Sequence, residues 1–173
     1  MSESPSQSAA AAPSAAASQS SSEGRPRLVV INDDTPFLEL MEALLEGEEG
    51  YDVQVLKEWE NAYQFVKAQQ PDLVILDIVM GREERGWAIL NMLTLDPKTR
   101  PIPVLVCSAA IHSLQEHAPM LQKHGIRALP KPFDLDDLLE AVQETLDHGG
   151  LGFRRDTPGE DRGRATAGRR RRA

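Results

Sequence analysis

The stretch that decides the fold is DLVILDIVM, residues 72–80. Leu73, Val74, Ile75 and Leu76 run without a break, the composition of a strand buried on both faces of a parallel sheet. Asp77 sits near the end of that run. A lone carboxylate in an apolar strand is costly unless it is paired, hydrogen-bonded or bound to a cation. The run therefore predicts a central strand, and the aspartate predicts chemistry at its carboxyl end.

The chain on either side alternates between short apolar runs and segments of helical spacing. RLVVIN (27–32) is a buried strand, and TPFLELMEALLEGEEG (35–50) places Phe37, Leu38, Met41, Leu44 and Leu45 at helical spacing. Asp34 suits the N-cap of that helix and Pro36 its first turn. YDVQVL (51–56) reads as a second strand and ENAYQFVKAQ (60–69) as a helix with Ala62, Phe65 and Val66 inward. After DLVILD come a polar loop GREERG (81–86), a helix WAILNMLTLD (87–96) and a fourth strand IPVLVCS (102–108). A helix over about 111–123 is expected to be interrupted or bent near Pro119, because proline lacks the N–H and crowds the preceding turn. IRALP (126–130) makes a fifth strand. FDLDDLLEAVQETL (133–146) is an amphipathic helix capped by Asp134, with Leu135, Leu138, Leu139, Val142 and Leu146 facing inward.

Strict β–α alternation specifies an α/β fold: (βα)5, a doubly wound parallel five-stranded sheet with right-handed crossovers. The expected strand order is 2-1-3-4-5, flavodoxin-like, and in such sheets chemistry gathers at the carboxyl ends of the strands.

Composition marks the limits of this region. Residues 1–26 are Ala-, Ser- and Pro-rich with no large apolar side chain after Met1, and 149–173 are Arg- and Gly-rich. Neither can bury enough apolar surface to offset its ordering entropy, so both are expected to be disordered tails around a domain at 27–148. The 173-residue chain carries a net charge of −8, unevenly spread: the middle has 22 acids against 10 bases, and the C-terminal stretch 8 arginines against 3 acids. An acidic domain argues against nucleic acid as a partner, leaving only the Arg-rich tail as a route to it. No apolar stretch is long enough to span a membrane, and residues 1–25 lack the pattern of a signal peptide. A single cysteine, Cys107, excludes an internal disulfide and reads as core filling. A cytoplasmic protein is expected. Trp87 is read as core and Trp59, among Glu58 and Glu60, as exposed, with a contact role the minor alternative. His112, His117, His124 and His148 show no metal-like spacing and are read as solvated.

The polar residues at the strand ends form a set. Strand one ends in Asn32-Asp33-Asp34, strand three at Asp77, strand four at Ser108, and Lys131 follows strand five. Two carboxylates 4 Å apart repel by about 1 kcal/mol in water and about 4 at an effective dielectric of 20. A hard divalent cation removes that conflict, and Mg²⁺ typically takes one or two carboxylates before coordinating a phosphoryl oxygen. Lys131 supplies a point charge, Ser108 a hydroxyl donor, and Asp77 a nucleophile able to form an acyl phosphate.

LVVINDD, LVILDIVM, VLVCSA and ALPKPF, in that order, resemble the signature blocks of the receiver domain of two-component response regulators. Spacings of 44, 31 and 23 residues between Asp33, Asp77, Ser108 and Lys131 fit that family. The resemblance implies that Asp77 accepts phosphate from a histidine kinase or histidine phosphotransfer protein. It implies Mg²⁺ bound by Asp33, Asp77 and the backbone carbonyl of Val79, with Asn32 contributing through a water. It also implies that Ser108 senses the phosphoryl group and that Lys131 pairs with it through a cis Lys131–Pro132 bond.

Departures from the pattern shape the expectation. Asn32 stands where a second acid is usual, which lowers the charge available to Mg²⁺. Gly81 replaces the usual proline, and the loop to Gly86 is one residue longer. Ala128 occupies the aromatic switch position, so the usual inward turn of a ring cannot operate. Val79 and Ala110 cannot position an attacking water, so slow self-dephosphorylation is expected.

The sequence thus predicts a phosphorelay receiver with no attached output domain, signalling to a downstream protein target by contact. The alternative is a pseudo-receiver, a binding module independent of phosphorylation. An enzyme is not expected, beyond self-catalysed transfer onto its own aspartate: aspartate-nucleophile hydrolases carry a second acid where Val79 stands.

Overall fold

The computed structural model describes residues 24–149. The expected tails lie almost wholly outside them. Five strands and five principal helices alternate: β1 Arg27–Ile31, α1 Thr35–Glu42, β2 Asp52–Leu56, α2 Ala62–Gln69, β3 Leu73–Asp77, α3 Gly86–Leu95, β4 Val104–Ser108, α4 Ile111–Lys123, β5 Arg127–Pro130 and α5 Leu135–Gly149. The strands form one parallel sheet in the order β2-β1-β3-β4-β5. Both the alternation and the order are those predicted.

Every residue of β3 and of β4 is buried, as inner strands covered by helices on both faces must be. Alternation along the strands divides the core in two. Val29, Ile31, Val74, Leu76, Val104 and Val106 face α2, α3 and α4, packing against Val66, Leu90, Leu93 and Leu121. Leu28, Val30, Leu73, Ile75, Leu105 and Cys107 face α1 and α5, packing against Met41, Leu45, Leu138 and Val142.

Several local expectations are corrected. The helix read over 35–50 is α-helical only to Glu42 and continues as a π-helical segment over Ala43–Glu48, where the chain must reach β2 past Gly47. Pro119 does not interrupt α4, which runs unbroken through it. Leu135, expected inward, is 42% exposed at the start of α5, and Ala141 takes a buried place instead. Asp134 does stand at the head of α5, where its carbonyl accepts from the Leu138 N–H at 3.2 Å and its own N–H donates to the Asp137 carboxylate at 3.4 Å. Asp34 does cap α1, accepting from the Phe37 N–H at 3.4 Å.

Candidate functional site

The register brings the polar set to one edge. Ile31 pairs with Leu76, Asp77 with Cys107 and Ser108 with Pro130, so β1, β3, β4 and β5 end side by side. Asp77 is only 6% exposed at the centre of that edge. Its Oδ2 accepts from the Lys131 ammonium at 2.5 Å and from the Asn32 carboxamide at 3.0 Å, and its Oδ1 accepts from the Val79 N–H at 3.0 Å. Burying this carboxylate is tolerable because an opposite charge and two further donors replace the water it loses.

Asn32 is fixed in turn. It is 1% exposed, and its Oδ1 accepts from the Asp34 N–H at 2.8 Å, so its amide can present only Nδ2 to Asp77. The oxygen expected to reach a cation through water is engaged by the backbone. Asp33 points the other way across the rim, its carboxylate accepting from the Gly81 N–H in the loop that leaves Asp77. Gly81 adopts φ +66° there, which suits glycine and not proline, and Met80 and Glu83 exchange backbone hydrogen bonds to close the turn. Gly86 ends the loop where a Cβ would overlap Asp77 O and lie 2.5 Å from Ile78 Cα. Only glycine allows α3 to begin this close to the strand.

Ser108 is fully buried, and its Oγ accepts from the Ala110 N–H at 3.1 Å, leaving its own proton free to be donated. Lys131 is tied to the same strand end, since its N–H donates to the Ser108 carbonyl at 2.8 Å and the following Lys131–Pro132 bond is cis. The Lys131 ammonium also lies 4.6 Å from the centre of the Phe37 ring. The structure therefore joins Asn32, Asp77 and Lys131 directly, and brings Asp33 and Ser108 to them through backbone groups.

These donors suit a hard cation of modest coordination demand. Among the described residues no three His, Cys, Asp or Glu side chains cluster as a metal site. Two carboxylates, Asp33 and Asp77, with the Val79 carbonyl on the same loop, match the sparse oxygen set that Mg²⁺ accepts while keeping waters. The residues fit that ion and not a closed cage.

Sequence reasoning did not find three contacts. One is the Asn32 amide on Asp77, and another is Phe37 against Lys131. The third joins the loop to α4: Trp87 Nε1 donates to Ser113 Oγ at 2.8 Å and to Glu84 Oε2 at 3.1 Å, while the Trp87 and His117 rings stack with centroids 3.8 Å apart. His117 is thus packed against an aromatic ring rather than simply solvated. Trp59 is half-buried beneath the Arg85 guanidinium, 4.1 Å from the ring centre. Cys107 behaves as core: burial pushes its thiol up to about 12, with opposed smaller effects from Lys131 and Asp77.

A parallel sheet of this order, with an aspartate, a lysine and a hydroxyl at its carboxyl edge, defines a receiver-type, flavodoxin-like α/β domain. The sequence profile of the response regulator receiver domain matches residues 28–143, and the chain belongs to that family. It is 30% identical over 141 residues to the response regulator MprA of Mycolicibacterium vanbaalenii, covering 82% of this chain and 56% of that protein. It is 29% identical to the transcriptional regulatory protein ZraR of Escherichia coli, covering 70% of this chain and 26% of that one. The chain thus spans about half or less of the length of these curated relatives. Among solved structures, the signal receiver domain of a Luxo repressor protein from Vibrio parahaemolyticus superposes with a TM-score of 0.62 at 26% identity, over 73% of this chain and 94% of that one. The receiver domain of the sensor histidine kinase PA1611 from Pseudomonas aeruginosa shares the fold, with a TM-score of 0.59 at 19% identity over 71% and 98% of the two chains. That domain carries a magnesium ion in its active-site cleft. No helix among the described residues is long and apolar enough to cross a membrane.

Proposed function

We propose that Asp77 accepts a phosphoryl group from a histidine kinase or histidine phosphotransfer protein in a Mg²⁺-dependent reaction, and that the product alters a surface read by a downstream protein. The observation that carries this reading is the buried Asp77 carboxylate held by Lys131 at 2.5 Å on one oxygen and by a backbone N–H on the other. An Asp77 oxygen attacks the phosphorus of a phosphohistidine. The new P–O bond forms as the P–N bond breaks, and the departing imidazole keeps the electron pair and takes a proton from solvent.

Each neighbour has a task. The Lys131 ammonium moves from carboxylate to phosphoryl oxygen and offsets its charge. Ser108 donates its free hydroxyl proton to another phosphoryl oxygen. Asp33, Asp77 and the Val79 carbonyl would hold Mg²⁺, which supplies charge neutralisation and orients the phosphoryl group. The chemistry proposed is self-catalysed transfer onto the chain's own aspartate, which makes it a phosphoprotein. We place it in the cytoplasm, acting by protein contact.

One observation favours a second reading, a pseudo-receiver that binds partners without phosphorylation: Asn32 and Lys131 both donate to the same Asp77 oxygen. Incubation with Mg²⁺ and acetyl phosphate, followed by intact mass, separates the two. A single phosphoryl adduct that is lost in Asp77→Asn supports the acceptor. No adduct at millimolar Mg²⁺ supports the binding module.

A further inference from the structure

We propose that Phe37 is a positioning residue for phosphoryl transfer, holding the Lys131 ammonium over the acceptor through the face of its ring; this rests on the reading of Asp77 as phosphoacceptor. The ammonium lies 4.6 Å from the Phe37 ring centre while it donates to Asp77 Oδ2 at 2.5 Å. An aromatic face attracts a cation through its quadrupole. Unlike a carboxylate or carbonyl, it uses up none of the three N–H donors of the ammonium. Phe37 therefore confines Lys131 laterally and leaves its donors free for the carboxylate first and the phosphoryl oxygens afterwards. An aliphatic side chain of similar size would fill the space without that pull.

The ring is itself fixed from two sides. Phe133, two residues beyond Lys131, presents its ring roughly edge-on, with centroids 6.5 Å apart and planes at 75°. The Phe37 backbone is pinned in the first turn of α1, where its N–H donates to Asp34 Oδ1. Asp34 donates in turn to Asn32 Oδ1, and Asn32 Nδ2 donates to Asp77 Oδ2. The contacts run from Asp77 through Asn32, Asp34, Phe37 and Lys131 and return to Asp77. Phe37 is the link in this circuit that makes no side-chain hydrogen bond, so replacing it removes the ring without stranding a polar group.

The test uses the full chain with lysine side chains isotopically labelled, comparing wild type, Phe37→Leu and Phe37→Tyr, with Phe37→Met in place of the leucine variant should that one not fold. Two quantities are read. One is the Lys131 CεH₂ resonance, which the ring current shifts upfield. The other is the rate of Asp77 adduct formation against acetyl phosphate concentration in Mg²⁺. In Phe37→Leu the resonance moves to the position of a free lysine, and the maximal rate falls about fivefold with the half-saturating donor concentration unchanged. Phe37→Tyr restores both. A Lys131 resonance unmoved in Phe37→Leu, or a maximal rate unchanged despite its movement, overturns the proposal while the acceptor reading stands. Absence of any adduct on the wild-type protein overturns the acceptor reading and this role with it.

Discussion

The Asn32 carboxamide donates a 3.0 Å hydrogen bond to the same Asp77 oxygen that receives the Lys131 ammonium. A neutral donor stands at the rim where the family pattern has a second acid. The pair is attractive with no cation present, whereas two carboxylates there would repel by about 1 kcal/mol in water and about 4 at an effective dielectric of 20. Asn32→Asp is therefore expected to lower Tm in chelator and to regain it as Mg²⁺ is added, with Mg²⁺ bound about tenfold more tightly than by wild type. Thermal melts across a Mg²⁺ titration measure both. Equal affinities, or a melting curve indifferent to the ion, would contradict the assignment of this rim as a cation site.

Gly86 supports the acceptor from behind. A methyl group there would overlap Asp77 O and lie 2.5 Å from Ile78 Cα, and both are backbone atoms that cannot step aside. Gly86→Ala is expected to cost about 3 kcal/mol or more in urea unfolding, at the upper end for a single substitution, and to slow adduct formation by displacing Asp77. Gly47, where an added Cβ meets nothing, is the control. A loss as small as in Gly47→Ala would show that α3 does not brace the strand.

The phosphorylated state should be long-lived. Val79 and Ala110 spend their N–H groups on Asp77 Oδ1 and Ser108 Oγ, and their side chains have no polar atom to orient water. Radiolabelled or mass-detected decay without any phosphatase is expected to take many minutes. Val79→Glu, which restores a polar group at the rim, should shorten it. A half-life of seconds in wild type would refute this account of the rim.

Acid stability tests a separate part of the fold. The Lys67 ammonium and the Tyr63 hydroxyl bond Asp96 Oδ2 at 2.8 and 2.6 Å, and with the Lys98 N–H they hold its carboxyl well below the usual carboxylate range. The unfolded chain protonates this group near its ordinary value, about 3.9, while the native state keeps it ionised. Its stabilising contribution is therefore complete above that value and is lost as pH falls below it. Urea melts of Asp96→Asn should show lower stability at neutral pH and a flatter acid limb than wild type. Parallel acid limbs would rule Asp96 out as a source of the dependence.

The layered fold could be read from the sequence because its signals are local. An unbroken apolar run as short as Leu73–Leu76, bounded by polar residues, suits an inner strand, and β–α alternation leaves few topologies. Asp77 was legible because a carboxylate in that run is costly unless engaged, and Lys131 because the ALPKPF block that holds it resembles the family's. Contacts that depend on side-chain direction were not legible. The turn of the Asn32 amide follows from a backbone N–H two residues away, and the meeting of Phe37 with Lys131 joins residues 94 positions apart. Pro119 misled for the opposite reason: the local rule predicts a break, yet Leu114 and Leu121, buried against the core on either side, hold α4 as one helix.

The most direct measurement is an amide NMR titration of the full chain with beryllofluoride in Mg²⁺, alongside Asp77→Asn. The account predicts that Val79, Gly81, Ala110 and Lys131 shift together with one saturation curve, and that none of them responds in the variant. Shifts of these four amides that persist in Asp77→Asn, or that fail to appear together in wild type, would mean that the residues around Asp77 do not form one phosphoryl-accepting site.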